Sequence, residues 1–237
     1  MSTPVAPAEA VRMARIAGAL YLVIILCGIW SEAAVRGGLA VPGDPAATAA
    51  HILEAGPLLR LSILADALMA LADVGLAVLL YVLLRPAGPV LALMAMAFRL
   101  VQAAAIAAAL SFQFAALRVL DPPFPGNDPL AAVFLSVQAH GYDLGLIFFG
   151  VNCLLVAVLL IRAPFAPAML GWLIAAAGAV YLTGSILRFA APGLWAGFQP
   201  AYLVPLVAEA AFCLWLLFRG PDRAGWMRAA DSAARQR

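Results

Sequence analysis

The sequence contains no lysine, and all 14 of its basic residues are arginine. Without a lysine amine no internal Schiff base can form, which excludes retinal or pyridoxal chemistry anchored in the usual way. Charge of either sign is scarce, at 11% of residues against about a quarter in soluble domains. The formal net charge of +2 is too small for a nucleic-acid footprint. Two histidines, His51 and His140, are too few for a histidine-built metal or haem centre. Cys27, Cys153 and Cys213 fall far apart inside apolar runs and read as small hydrophobes, not as a disulfide framework. Also absent are a nucleophile elbow, a zinc-protease helix motif and a glycine-rich phosphate loop. Nothing in the sequence asks for a cofactor or a metal.

What the chain has in excess is apolar surface. Of 237 residues 66% are hydrophobic, and the mean hydropathy is +1.03. Such a composition cannot cover a water-facing surface, so lipid must serve as part of its solvent. About twenty apolar residues cross the hydrocarbon core. Six runs qualify, at 15–36, 58–84, 89–118, 130–162, 167–189 and 199–219. None alternates like a barrel strand, and helices satisfy their own backbone in lipid. The sequence therefore predicts an all-α bundle of six transmembrane helices at 15–219. A cytoplasmic arm (1–14) precedes it, and a polar cytoplasmic tail (220–237) follows. The first run begins after Arg12 and Arg15, as a signal peptide would. Its apolar stretch, 16–30, is long for a signal core, and S-E-A-A at 31–34 makes a poor cleavage site, so it reads as a retained helix.

Arginine placement sets the expected orientation. With six spans both termini share a side, which collects Arg12, Arg15, Arg85, Arg162, Arg219, Arg223, Arg228, Arg235 and Arg237. The other side has Arg36, Arg60, Arg118 and Arg188. Both termini are predicted to be cytoplasmic. The cytoplasmic links, R-P-A-G-P at 85–89 and A-P-F-A-P at 163–167, are tight. The outer links are longer, and long loops tend to carry function. In the first, Asp44-Pro45 looks like an N-cap with proline at the first helical position, predicting a short interfacial helix at 46–54. The second, D-P-P-F-P-G-N-D-P at 121–129, reads as stiffened by its prolines. No internal repeat is evident, so an inverted-repeat transporter finds no support.

Ionisable residues inside a membrane are costly and point to function by default. At 100° per residue, Glu32 and Arg36 share a face and can form a structural ion pair. Asp66 and Asp73 nearly eclipse on the second span, and Arg99, Gln102 and Gln113 form a stripe on the third. His140 and Asp143 share a face of the fourth, while Gln138 and Asn152 point more nearly to another. Tyr181, Ser185 and Arg188 line the fifth, and Tyr202 with Glu209 the sixth. Turned inward, these stripes would meet. They concentrate toward the outer half, leaving the inner half poor in polar groups.

This distribution predicts an outward-facing polar pocket for a small amphipathic or lipophilic molecule. The residues expected to line it are Arg60, Asp66, Asp73, Arg99, Gln102, Gln113, Gln138, Arg188 and Tyr202, with an arginine holding an anionic head group. A second reading is an intramembrane enzyme acting on a lipid or isoprenoid, with His140, Asp143 and Glu209 as catalytic acid/base groups. A proton- or ion-coupled carrier and a structural subunit are the remaining alternatives. Membrane lipids are the expected partners. The near balance of five acids against four arginines and His140 also fits an ion-pair network.

The run S-E-A-A-V-R-G-G-L-A-V-P-G-D (31–44), Arg60, Asp66, Asp73 and L-L-Y-V-L-L (79–84) resemble a bacterial membrane family. So do F-R-L-V-Q (98–102), F-F-G-V-N-C-L-L (148–155) and P-A-M-L-G-W-L (167–173). The family is known as domain of unknown function 4386. The resemblance covers residues 12–220 and implies six spans and an inner-membrane location, with no activity or ligand attached. It implies His or another residue where this chain has Asn152.

Overall fold

A computed structural model describes residues 5–121 and 126–235. The prolines at 122, 123 and 125, the arm before residue 5 and Arg237 lie outside the described residues. Among them the chain is all-α, without strands, and six stretches are long and apolar enough to cross a membrane. They are Pro7–Gly38, Gly56–Ala87, Pro89–Arg118, Asp128–Arg162, Ala168–Ala190 and Pro192–Phe218. The protein is therefore a multi-pass membrane protein.

The first span is α1 (Pro7–Ile29), continued by a π-helical stretch, Trp30–Val35, and a 3₁₀ turn, Arg36–Gly38. A π stretch shifts side chains around the helix axis. Next comes α2 (Pro45–Glu54), where Asp44 Oδ1 accepts from Ala47 N at 2.9 Å and Pro45 opens the helix. Its Thr48, Ala49 and Ile52 are buried. The second and third spans are α3 (Gly56–Leu84) and α4 (Pro89–Arg118), joined by the 3₁₀ turn Arg85–Ala87. The fourth and fifth are α5 (Asp128–Arg162) and α6 (Ala168–Ala190). The sixth is composite. A short α7 (Pro192–Phe198) and a 3₁₀ turn, Gln199–Tyr202, lead into α8 (Leu203–Phe218). The tail forms α9 (Arg223–Arg235), a helix the sequence does not announce.

The chain divides into two compact units. The first comprises the described parts of Met1–Leu22, Asp73–Gln102 and Leu146–Arg237; the second, those of Val23–Ala72 and Ala103–Gly145. In the first unit α5 and α6 meet at glycines. A Cβ on Gly178 would lie 2.9 Å from the Gly150 carbonyl oxygen, and one on Gly171 2.8 Å from that of Ala157. Small residues at such positions let helix backbones approach in a membrane. The second unit closes on Val35, Leu39, Ile52, Leu59, Leu117 and Leu135. Many large apolar side chains remain exposed along the spans, among them Leu64, Leu71 and Val90, as lipid-facing positions would be.

Candidate functional site

The polar residues of the first unit gather around Arg99. This side chain, 3% exposed on α4, meets Asp73 of α3, also 3% exposed. Its Nε donates to Asp73 Oδ1 at 2.7 Å. Its Nη2 lies 2.6 Å from the same oxygen, close enough to pair by charge but without hydrogen-bond alignment to any acceptor. The guanidinium carbon sits 5.3 Å from the Tyr21 ring centre and 5.0 Å from that of Phe149. The cation is thus matched by one carboxylate and flanked by two aromatic rings, the compensation a buried charge requires.

Glu209 on α8 is held differently. Tyr21 Oη donates to its Oε2 at 3.0 Å, and Tyr181 Oη donates to its Oε1. Among the described residues Glu209 forms no contact ion pair, and two phenol hydroxyls, from α1 and α6, donate to it with the Arg99 charge nearby. The rings continue from Phe149 through Tyr181 to Tyr202. Phe149 and Tyr181 lie 5.1 Å apart and Tyr181 and Tyr202 5.9 Å apart, while the Tyr202 hydroxyl sits over Gly184, where any side chain would collide.

Beside Arg99 lies a cavity of about 10 Å³, room for one water. Leu80, Leu84, Ala95, Met96 and Val156 make it apolar, and Arg99 and Asn152 are among its few polar residues. Asn152 Nδ2 donates to the Ala95 carbonyl at 2.7 Å, fixing α5 against α4. The sequence reading places the polar opening toward the long connections. This cavity instead runs from Arg99 toward the tight turn between α3 and α4, flanked by Leu84 and Ala92.

In the second unit the π-helical stretch presents Glu32 and, at its end, Arg36. Arg36 Nε donates to Glu32 Oε2 at 3.0 Å, and its Nη1 pairs with Asp66 Oδ2. Its guanidinium lies 5.9 Å from the Tyr142 ring centre. Gln113 Nε2 donates to Ser62 Oγ at 2.9 Å, and Ser62 Oγ donates to the Leu59 carbonyl. Ser31 Oγ donates to the Ser62 carbonyl at 3.4 Å. These contacts join the end of the first span to α3 and α4.

The other candidates differ in exposure. Gln102, Gln138 and Asp143 are buried. His140 is exposed, its Nδ1 2.7 Å from the Ser136 carbonyl on its own helix. Arg60 is exposed, and the half-buried Arg188 stacks 4.1 Å over Trp195. No cluster of three or more His, Cys, Asp and Glu able to hold a metal occurs among the described residues. Sequence reasoning passed over Tyr21 and Phe149, since an aromatic in an oily helix carries no signal of what it faces.

The sequence model described as Domain of unknown function (DUF4386) matches residues 16–220. A protein of Archaeoglobus fulgidus, described only as uncharacterized, is 31% identical over 159 residues, covering 67% of this chain and 83% of that relative. No solved structure matches.

Proposed function

This chain belongs to the DUF4386 family, whose description assigns no activity, and we propose that it is an intramembrane binding protein for a small amphipathic molecule. The carrying observation is the chemical asymmetry of the cavity, apolar along its walls and polar at Arg99 and Asn152. Small-molecule sites are mostly apolar with a few placed polar groups. An anionic head would meet the unaligned Nη2 of Arg99, and an apolar body would run along Leu80, Leu84 and Val156. A space of about 10 Å³ admits only a water, so binding requires α3, α4 and α5 to move apart.

The arginine distribution supports cytoplasmic termini, with α2 on the outer interface, and the Archaeoglobus fulgidus relative supports a prokaryotic plasma membrane. A purely structural role for the cluster is the competing reading, favoured by the closeness of the Asp73–Arg99 pair. An enzyme built on His140 and Asp143 draws less support, because His140 is exposed and bonded to its own helix.

Thermal unfolding in detergent, with fatty acids, lysophospholipids and quinones added singly, separates these readings. Binding predicts a higher Tm with an anionic amphiphile, lost in the Asp73→Asn/Arg99→Gln double variant. If no compound shifts the wild-type Tm, the structural reading stands.

A further inference from the structure

At one end of the first unit four parts of the chain are stitched together. Trp226 Nε1 on α9 donates to the Val5 carbonyl at 2.9 Å, just before α1. The Asp222 amide donates to the Phe165 carbonyl at 3.0 Å, in the turn between α5 and α6. The Phe165 and Trp226 rings lie 5.1 Å apart. Gly225 rests on the Pro164 carbonyl with no room for a Cβ. Gly220, at φ +64°, lets the chain turn from α8 into α9, and a Cβ there would lie 3.3 Å from Ala14 Cβ.

Around this junction Arg12, Arg15, Arg162, Arg219, Arg223 and Arg228 are all exposed. None of them forms an ion pair among the described residues, where the pairs found involve Arg36, Arg99 and Arg118. Three carboxylates share the end, Glu9, Asp222 and Asp231, and that of Asp222 is engaged by the Gly225 amide at 2.8 Å. Exposed apolar side chains accompany the arginines. Phe218 is 74% exposed at the end of α8, and Met227 and Trp172 are exposed on α9 and α6. On α9 the inward face is Gly225, Trp226 and Ala229, which leaves Arg223, Met227 and Arg228 turned out.

We propose that this arginine-rich end binds the phosphodiester headgroups of anionic membrane lipids. The planar guanidinium fork matches phosphate oxygens, and basic residues beside a membrane surface are drawn to anionic lipid. Phe218, Met227 and Trp172 lie where the acyl boundary would receive them. The docked α9 is then a strut that holds Arg223 and Arg228 at headgroup level. This inference does not rest on the amphiphile cavity.

The test uses the full chain in neutral detergent, with binding followed by native mass spectrometry and by Tm. The added probes are phosphatidylglycerol, phosphatidylcholine and free glycerol phosphate. Phosphatidylglycerol should bind and raise the Tm, and the other two should not. Affinity should fall about fivefold for each arginine removed in Arg223→Gln and Arg228→Gln, and should stay unchanged in Arg118→Gln, whose guanidinium pairs with Asp121 away from this end. Raising salt should weaken wild-type binding in the same direction. Equal binding of phosphatidylcholine, a glycerol phosphate effect as large as that of the lipid, or undiminished lipid binding by the arginine variants would overturn the proposal.

Discussion

Arg99 Nε donates to one oxygen of Asp73 at 2.7 Å while Nη2 lies 2.6 Å from that same oxygen without aligning to it, in a setting where each residue is 3% exposed. Removing either partner strands a buried charge, whereas removing both leaves two neutral groups. Asp73→Asn should therefore cost about 3–5 kcal/mol, and Asp73→Asn/Arg99→Gln distinctly less than Asp73→Asn alone. Unfolding of the purified variants in mixed micelles measures both. A double variant as damaged as the single would show that the pair acts through more than its charge.

Glu209 depends on two hydroxyls, one from each of two other helices. Tyr21→Phe and Tyr181→Phe keep the rings and delete one donor each, at about 1.5–3 kcal/mol for a hydrogen bond to a charged group. The double phenylalanine variant leaves a carboxylate without donors and should lose more than either single. Glu209→Gln, in the background of both phenylalanines, should restore part of that loss. Chemical unfolding of this set, read as a double-mutant cycle, checks the coupling.

The six spans were legible because lipid demands long apolar runs, and composition registers that demand directly. Two of the polar stripes coincide with buried positions, Asp66 with Asp73 and Arg99 with Gln102 and Gln113, since helical spacing fixes which residues on one helix share a face. The fourth span differs, for His140 is exposed and Asp143 buried. What the spacing does not encode is which stripe meets which. Asp73 with Arg99 joins neighbouring spans, while Tyr21 with Glu209 joins positions 188 apart in sequence. The π-helical stretch at Trp30–Val35 departs from the 3.6-residue period on which any stripe is drawn. Helix α9 escaped notice because its pattern is short and polar, and Trp226 is buried by partners distant in sequence.

Close approach of α5 and α6 rests on absent side chains. Gly171→Ala would place a methyl 2.8 Å from the Ala157 carbonyl and 2.6 Å from Ile161 Cγ1. Backbone on one side cannot yield, so the helices must separate, at about 1–3 kcal/mol. Gly193→Ala in α7, with nothing within 4 Å of the new methyl, should leave the Tm unchanged or slightly raised by the better helix former. Comparing the two Tm values isolates packing from helix propensity.

Trp226 is the fastening of the tail, with its ring on Phe165 and its Nε1 on the Val5 carbonyl. Trp226→Ala should free α9 without disturbing the spans. Limited proteolysis should then cut near Arg219–Arg228 much faster than in wild type, at an unchanged Tm of the core.

The binding reading is tested most directly by identifying what leaves the membrane with the protein. Wild type and Asp73→Asn/Arg99→Gln, purified in parallel, are extracted with organic solvent and compared by mass spectrometry. The account predicts an anionic amphiphile near one equivalent with wild type and its loss from the double variant, against an equal background of bulk lipid. Identical extracts from the two proteins would contradict it.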